Sequence, residues 1–500
     1  MSVDPAAESV TGRKNGSVAW VLVVTGLAGF MAMLDNLVVI MALPAIAEDL
    51  GGGMEALEWT VSAYTLTFAV LLMLGASLGD RYGRKRMFLV GMALFTASSA
   101  AAALAPGIDE LIVARAVQGV GAAIIMPLTL TLLITAVPAT YRGVVLGVWG
   151  AVNGLAIAAG PLIGGSIVEH ADWSWIFWLN VPIGIALVPL AAWKLRESHG
   201  ANSRLDVTGT VLASIALFGI VYAMIRGNAD GWTDPLILAG LIGGGALLVA
   251  FVIWELRARE PMLPMRLFRN RTFSGVNAAS LLMALGNFGA IFLLSQYLQL
   301  QGYSPLEAGV RMLPWTGAPI VVAPIAGMLS DRIGGRAIVV VGLLLQGVGL
   351  GWWAQVASTD VGYAAQLGPM ILNGVGMAMF YAPVANVLMG SVRPREQGVA
   401  SGANNALREI GGALGVAVLT AVFAARGDLG TPQAFVDGLV PALWVGAGAV
   451  AVGAIAMLAT EKSPAAPGGE VVARAGTEDT AVPAGEYAPP APAPVGGDRR

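Results

Sequence analysis

Cysteine is absent from this chain and histidine occurs only at His170 and His199. That excludes disulfides, covalent haem attachment and Cys/His metal clusters, so no cofactor is expected. Charge is scarce as well: Asp, Glu, Lys and Arg are 12% of the residues, where a soluble domain carries about 25%. The net charge is -3, and no nucleic acid is expected among the partners. No G-x-x-x-x-G-K-[ST] loop occurs, which leaves ATP hydrolysis without a phosphate cradle. GASLG, residues 75–79, fits the G-x-S-x-G nucleophile pattern. Ser77, however, ends an apolar helix instead of a strand, and neither histidine is placed to serve it. The chain is not expected to be an enzyme.

What is abundant is apolar sequence, 56% of the residues, and this places the chain in a bilayer. A spanning helix needs about 20 mostly apolar residues. Fourteen such runs follow one another, beginning 18–43, 58–79, 87–105, 110–136 and 143–168 and ending 397–425 and 434–459. Lys and Arg test the count, because basic residues favour cytoplasmic loops. With the amino terminus inside, 23 of the 28 fall in inner segments, only Arg226 and Arg426 fall in outer ones, and Arg115, Arg311 and Arg408 lie within helices. A miscounted helix would reverse every later loop, so both termini are expected to be cytoplasmic. The first outer loop is acidic, with Glu48, Asp49, Glu55 and Glu58.

Two motifs recur. GDRYGRKR at 79–86 matches SDRIGGR at 330–336 with an offset of 251, and GAVN at 150–153 matches GANN at 402–405 with an offset of 252. Nearly equal offsets at equivalent places in the helix order indicate two related halves, the arrangement of alternating-access transporters. The expected organisation is a cytoplasmic segment 1–17, a six-helix bundle 18–200, an inserted helix pair 201–260, a second six-helix bundle 261–460 and a disordered cytoplasmic tail 461–500.

Several of these stretches are recognisable. GASLGDRYGRKRMFLVG (75–91), LIVARAVQGVGAAIIMP (111–127) and GLAIAAGPLIGG (154–165) resemble the helix 2–3 loop, the helix 4 signature and the helix 5 antiporter signature of the major facilitator superfamily. LDNLVVIMALP (34–44) is similar to the helix 1 signature of its fourteen-helix drug:proton antiporter branch, and WSWIFWLNVPIG (173–184) and LDVTGTVL (205–212) fit the same branch. The resemblance covers roughly residues 18–460. It implies an all-α integral membrane protein with two six-helix bundles and an inserted pair. It also implies gating by Asp80, Arg81, Gly83 and Arg84 with their repeats Asp331 and Arg332, whose bland reading is a positive-inside anchor. Gly160, Pro161, Gly164 and Gly165 would bend helix 5 and seal the cavity, or simply pack closely. One departure concerns helix 10, where Glu307 lies only at the outer edge and Arg311 within; some members that take dicationic drugs carry an extra acid inside that helix, so the resemblance does not extend to transport of dications.

Asp35 is a carboxylate in an apolar helix, expected past the midplane in the outer half, where a charge costs about 2.5 to 3.5 kcal/mol. Arg115 is expected at similar depth. Asp35 is read as the proton-coupling group with Arg115 modulating it, against the alternative of a permanent ion pair joining two helices. Arg408 and Glu409 lie about 100° apart on helix 13, so they are not expected to point the same way. Asn36, Asn153, Asn287, Gln296, Trp315, Tyr381 and Glu409 are candidates for lining a greasy pocket with few polar fixings.

The resulting expectation is a monomeric proton-coupled antiporter in the bacterial cytoplasmic membrane, exporting a small hydrophobic and in some cases cationic drug or antibiotic. The rivals are an exporter of one endogenous metabolite on the same fold, and a non-transporting membrane scaffold or sensor.

Overall fold

The computed structural model describes residues 5–137, 142–199, 206–259, 261–393 and 396–460; the side chains of Asn153 and Asp331 lie outside that description. Every element among the described residues is helical. The first half contains α1 (Pro5–Leu50), α2 (Met54–Tyr82), α3 (Arg84–Ala103), α4 (Ile108–Ala136), α5 (Arg142–His170), α6 (Trp175–Trp178) and α7 (Asn180–Lys194). The inserted pair is α8 (Val207–Asp230) followed by α9 (Pro235–Leu238) and α10 (Gly244–Arg257). The second half contains α11 (Arg271–Leu300), α12 (Pro305–Thr316), α13 (Ala318–Ile333), α14 (Gly335–Val356), α15 (Tyr363–Gly390), α16 (Gln397–Ala424) and α17 (Pro432–Leu458). Among the described residues, 13 helical spans are long and apolar enough to cross a membrane, and α5 takes the place of the fifth predicted run.

Three of these spans are interrupted, each for a local reason. Span Pro305–Ser330 breaks at Gly317, flanked by Pro314 inside α12 and Pro319 at the start of α13, because proline offers no amide hydrogen to the helix ladder. Span Pro235–Arg257 contains a π turn at Ala239–Gly243. Span Trp175–Lys194 is broken between α6 and α7 at Leu179. This last break sets the position of Asn180.

The two halves repeat their packing: α1 on α5 is matched by α11 on α16, α3 on α4 by α14 on α15, and α3 on α7 by α14 on α17. The repeated loop folds identically in both. Gly83 (φ 105) and Gly334 (φ 91) each end one helix and begin the next, a backbone conformation that side-chain-bearing residues avoid. Large apolar side chains such as Trp193, Ile242 and Val321 point outward. That is the reverse of a water-facing surface and suits contact with lipid.

The inserted pair closes a seam between the halves. On α8, Ala213, Leu217, Val221 and Ile225 pack with Leu66 and Val70 of α2 and with Ala413 and Ala417 of α16. Asp206 anchors the pair. It caps α8 through the Gly209 amide at 2.8 Å and also accepts the Trp254 indole N–H at 2.8 Å and the Met262 amide at 3.4 Å. Burial opposes its ionisation, but these bonds and one shared with Glu255 prevail and hold its carboxyl below the ordinary value. The stabilisation is therefore complete above the unfolded value of about 3.9 and disappears as pH falls through the lower folded one. Asp206→Ala should cost about 0.5 to 2 kcal/mol, seen as a lower thermal unfolding temperature in detergent at neutral pH, and the gap to wild type should shrink in acid. An equal gap at every pH counts against this account.

Candidate functional site

Asp35 lies near the middle of the Val18–Leu50 span and is 2% exposed. The helix that carries it continues to Leu50, past the predicted end at 43. Its carboxylate is filled with donors. Oδ2 accepts Arg115 Nη1 at 2.5 Å, and Oδ1 accepts Gln118 Nε2 at 2.8 Å and Asn180 Nδ2 at 2.7 Å. Every contact gives a hydrogen to Asp35, which is the pattern of an ionised carboxylate.

Arg115 is fully buried. Its Nη1 also donates to Gln118 Oε1 at 2.6 Å and its Nε to the Thr60 carbonyl at 3.2 Å. Nη2 has no hydrogen-bond partner, but the guanidinium carbon sits 4.3 Å from the centre of the Tyr64 ring, whose negative face attracts a cation. Gln118 passes its second hydrogen to Ser99 Oγ at 2.8 Å. Arg115 and Gln118, three residues apart on α4, share one helix face. One carboxylate thus gathers side chains or carbonyls from α1, α2, α3, α4 and α7.

The repeated halves differ at this point. Asn287 of α11 follows Asp35 by 252 residues, the offset of GAVN and GANN, and donates Nδ2 to Gln346 Oε1 of α14 at 2.6 Å. The second half therefore holds a neutral amide pair where the first holds an ion pair.

Of the remaining pocket candidates, Trp315, Gln296 and Asn36 are buried. Trp315 is buried against Trp353, ring centres 5.9 Å apart, and Gln296 is buried with its amide given to the Phe292 carbonyl at 3.3 Å. Asn36 is buried with Oδ1 unpartnered. Arg408, expected to diverge from Glu409, reaches round α16 to pair with it at 3.2 Å and approaches the Tyr381 ring. The long, flexible arginine side chain overrides the angular separation of the two Cα atoms.

The predicted gating loop is bonded inside its own half. Asp80 pairs with Arg84 at 2.8 Å. The carboxylate of Glu197 accepts the Lys85 and Arg86 amides at 2.9 and 3.1 Å and so caps the start of α3. A Cβ at Gly83 would strike that carboxylate. Arg81 lies against the Tyr82 ring, and Arg332 is exposed at the equivalent loop of the second half. Among the described residues, Asp80 makes no bond to the second half.

The direct hydrogen bonds between the halves, among the described residues, cluster at the opposite, acidic end. Glu169 Oε2 accepts Ser304 Oγ at 2.6 Å and the Leu306 amide at 3.2 Å, Gln299 Nε2 donates to the Met41 carbonyl at 3.3 Å, and Ser295 Oγ to the Ile40 carbonyl at 3.5 Å. Glycines bring the helices together there. Gly160 and Gly164 abut Leu37 and Val38 of α1 on one face of α5, while on another face Gly165 meets the Pro305 carbonyl and Pro161 meets Gly309 of α12. A Cβ at Gly165 or Gly309 would come within 2.2 Å of a backbone oxygen.

A family model described as Major Facilitator Superfamily matches residues 25–416. The chain belongs to this superfamily. Among its relatives are the tetracenomycin C resistance and export protein of Streptomyces glaucescens, 36% identical over 80% of this chain and 75% of that one, and the puromycin resistance protein of Streptomyces alboniger, 37% identical over 88% and 90%. A crystal structure of a peptide transporter in complex with sulfate shares the fold, with a TM-score of 0.66 at 14% identity, covering 92% of this chain and 98% of that one.

In this facilitator the sequence pointed to Asp35 and Arg115 but not to Asn180, Ser99 or Tyr64, which complete their surroundings. Asn180 carried a faint signal as an amide inside the apolar run WLNVP; Ser99 and Tyr64 carried none, since similar residues line every helix.

The glycine contacts give a direct test. Gly165→Ala should keep the acidic end of α5 and α12 from closing. A cysteine at buried Ser295 should then react with a membrane-impermeant maleimide in the Gly165→Ala chain and resist it in the parent. Equal protection in both would show that the glycine does not govern closure.

Proposed function

We propose that this chain is a proton-coupled antiporter that exports hydrophobic antibiotics or drugs across the bacterial cytoplasmic membrane by alternating access. The observation that carries the reading is the buried Asp35–Arg115 pair. An ionisable group inside a membrane bundle is costly and marks an ion or proton path, and here it joins five helices of one half. The basic loops support a cytoplasmic location for that face and for both termini. With the acidic end sealed and the Asp80 loop, among the described residues, bonded within its own half, the arrangement suits a transporter closed to the outside, with Asp35 ionised and ready for substrate.

Protonating Asp35 would turn one of its oxygens from acceptor to donor, and Arg115, Gln118 and Asn180 all present donors to it. The network must then rearrange, and because its members sit on different helices, the rearrangement moves helices. Energetically a proton suffices: one charge crossing 100 mV is worth about 2.3 kcal/mol, which sustains roughly a 50-fold gradient of substrate. Relatives named for resistance to or export of antibiotics support the substrate class. Two of them are named for single compounds, which favours, as a second reading, export of one antibiotic in place of many.

Three measurements test this. In everted vesicles carrying a pH gradient, adding a transported antibiotic should release protons with the wild-type chain and not with Asp35→Asn; full proton movement without Asp35 would falsify its coupling role. A growth-inhibition panel in an efflux-deficient bacterium separates broad from narrow export by the number of compounds tolerated. Asn180→Ala removes one donor from Asp35 while sparing Arg115, so coupled efflux should persist with a displaced pH optimum. An unchanged pH profile would assign Asn180 to packing alone.

A further inference from the structure

The seam of α2, α8 and α16 holds a carboxyl group that the mechanism above does not use. Glu58, expected in the outer loop, instead lies one turn into α2, is 3% exposed, and has no hydrogen-bond partner for Oε2. Its polar neighbour across the seam is Thr420 of α16. The Thr420 hydroxyl already donates to the Val416 carbonyl at 2.6 Å. Thr420 thus offers a lone pair and no hydrogen, which suits a carboxylic acid that donates and not a carboxylate that needs a donor.

Among the described residues, no cation pairs with Glu58. Glu55, one turn earlier on α2, is a like charge and binds Arg226 of α8 at 2.9 Å; Arg226 is further held by Asp230 at 2.7 Å. Tyr222 of α8 contacts Trp59, the next residue, with ring centres 6.2 Å apart. On α4, Arg115 is engaged by Asp35, and Asp109 and Glu110 are exposed. On α16, Arg408 and Glu409 pair with each other about three turns away, and Arg426 is exposed beyond the helix end.

Glu58 also sits where the two halves meet. α2 belongs to one half and α16 to the other, and α8 is wedged between them, with Asn228 donating to the Ala421 carbonyl at 2.5 Å. Separation of the halves at the acidic end would bring water to Glu58; closure removes it. We propose that Glu58 is a second proton-binding site, loaded from the outer solvent, and that its protonation permits the α2–α8–α16 seam to close. The inference rests on the alternating-access reading. The proton adds to the carboxylate as the halves approach and returns to the same side when they part, so Glu58 times closure without carrying charge across the membrane.

The chain has no cysteine, which suits double spin labelling. Labels at Asp109→Cys and Asp360→Cys, exposed sites at the acidic ends of the two halves, report outer opening by electron–electron distance measurement in nanodiscs. In an Asp35→Asn background, the short-distance population should fall as pH is raised from about 5 to about 8, across the range in which a perturbed carboxyl titrates. Adding Glu58→Gln, which mimics the protonated acid, should hold the short distance at both pH values. The proposal is overturned if the doubly substituted chain opens with pH as the Asp35→Asn chain does, or if the Asp35→Asn chain shows no pH response. Ethidium efflux by the wild-type chain, measured separately, tells a failed latch with intact transport from a failed transport reading.

Discussion

The burial of one guanidinium against one carboxylate ties together five helices of the first half of this molecule. Arg115 and Asp35 are held away from water, where removing either partner strands the other charge at about 3 to 5 kcal/mol. The surrounding groups follow from that. Gln118 and Asn180 fill the second carboxylate oxygen, the Thr60 carbonyl takes the guanidinium Nε, and the Tyr64 ring covers its face. A change of charge on Asp35 therefore cannot stay local, because its ligands ride on separate helices.

The second half answers with neutrality. At the position related to Asp35 by the internal repeat stands Asn287, paired with Gln346, and an amide pair has no protonation state to exchange in the physiological range. The two bundles share packing but differ in chemistry at this position. The seal between them relies on a different physics. Backbone oxygens of α5 and α12 approach opposing glycines so closely that a single methyl group would part them. Such an interface is steep in distance, and the Glu169 carboxylate adds its bonds to Ser304 and Leu306 at the same place.

The inserted pair takes a structural meaning from this arrangement. It does not hang from the bundle as an appendage. α8 fills the groove between α2 and α16, and Asp206 fixes its amino-terminal end to the segment leading into the second half. An element that touches both halves ties the position of one to the other.

The sequence by itself determined the spans, their order and the paired loops, because bilayer burial writes long apolar runs and glycine turns directly into composition. It also exposed Asp35 and Arg115, since a charge in an apolar run stands out against its neighbours. Only the tertiary structure decided who meets them. Asn180, Ser99 and Tyr64 are ordinary in their own helices and become partners through helix packing. Glu58 reads as one more acid of an outer loop until α8 and α16 bury it. The split of the glycine motif between α1 and α12 was equally hidden, since a glycine records that something comes close without recording what. Contact between residues far apart in the chain depends on the angle and depth at which helices cross, and those are set by all the side chains together.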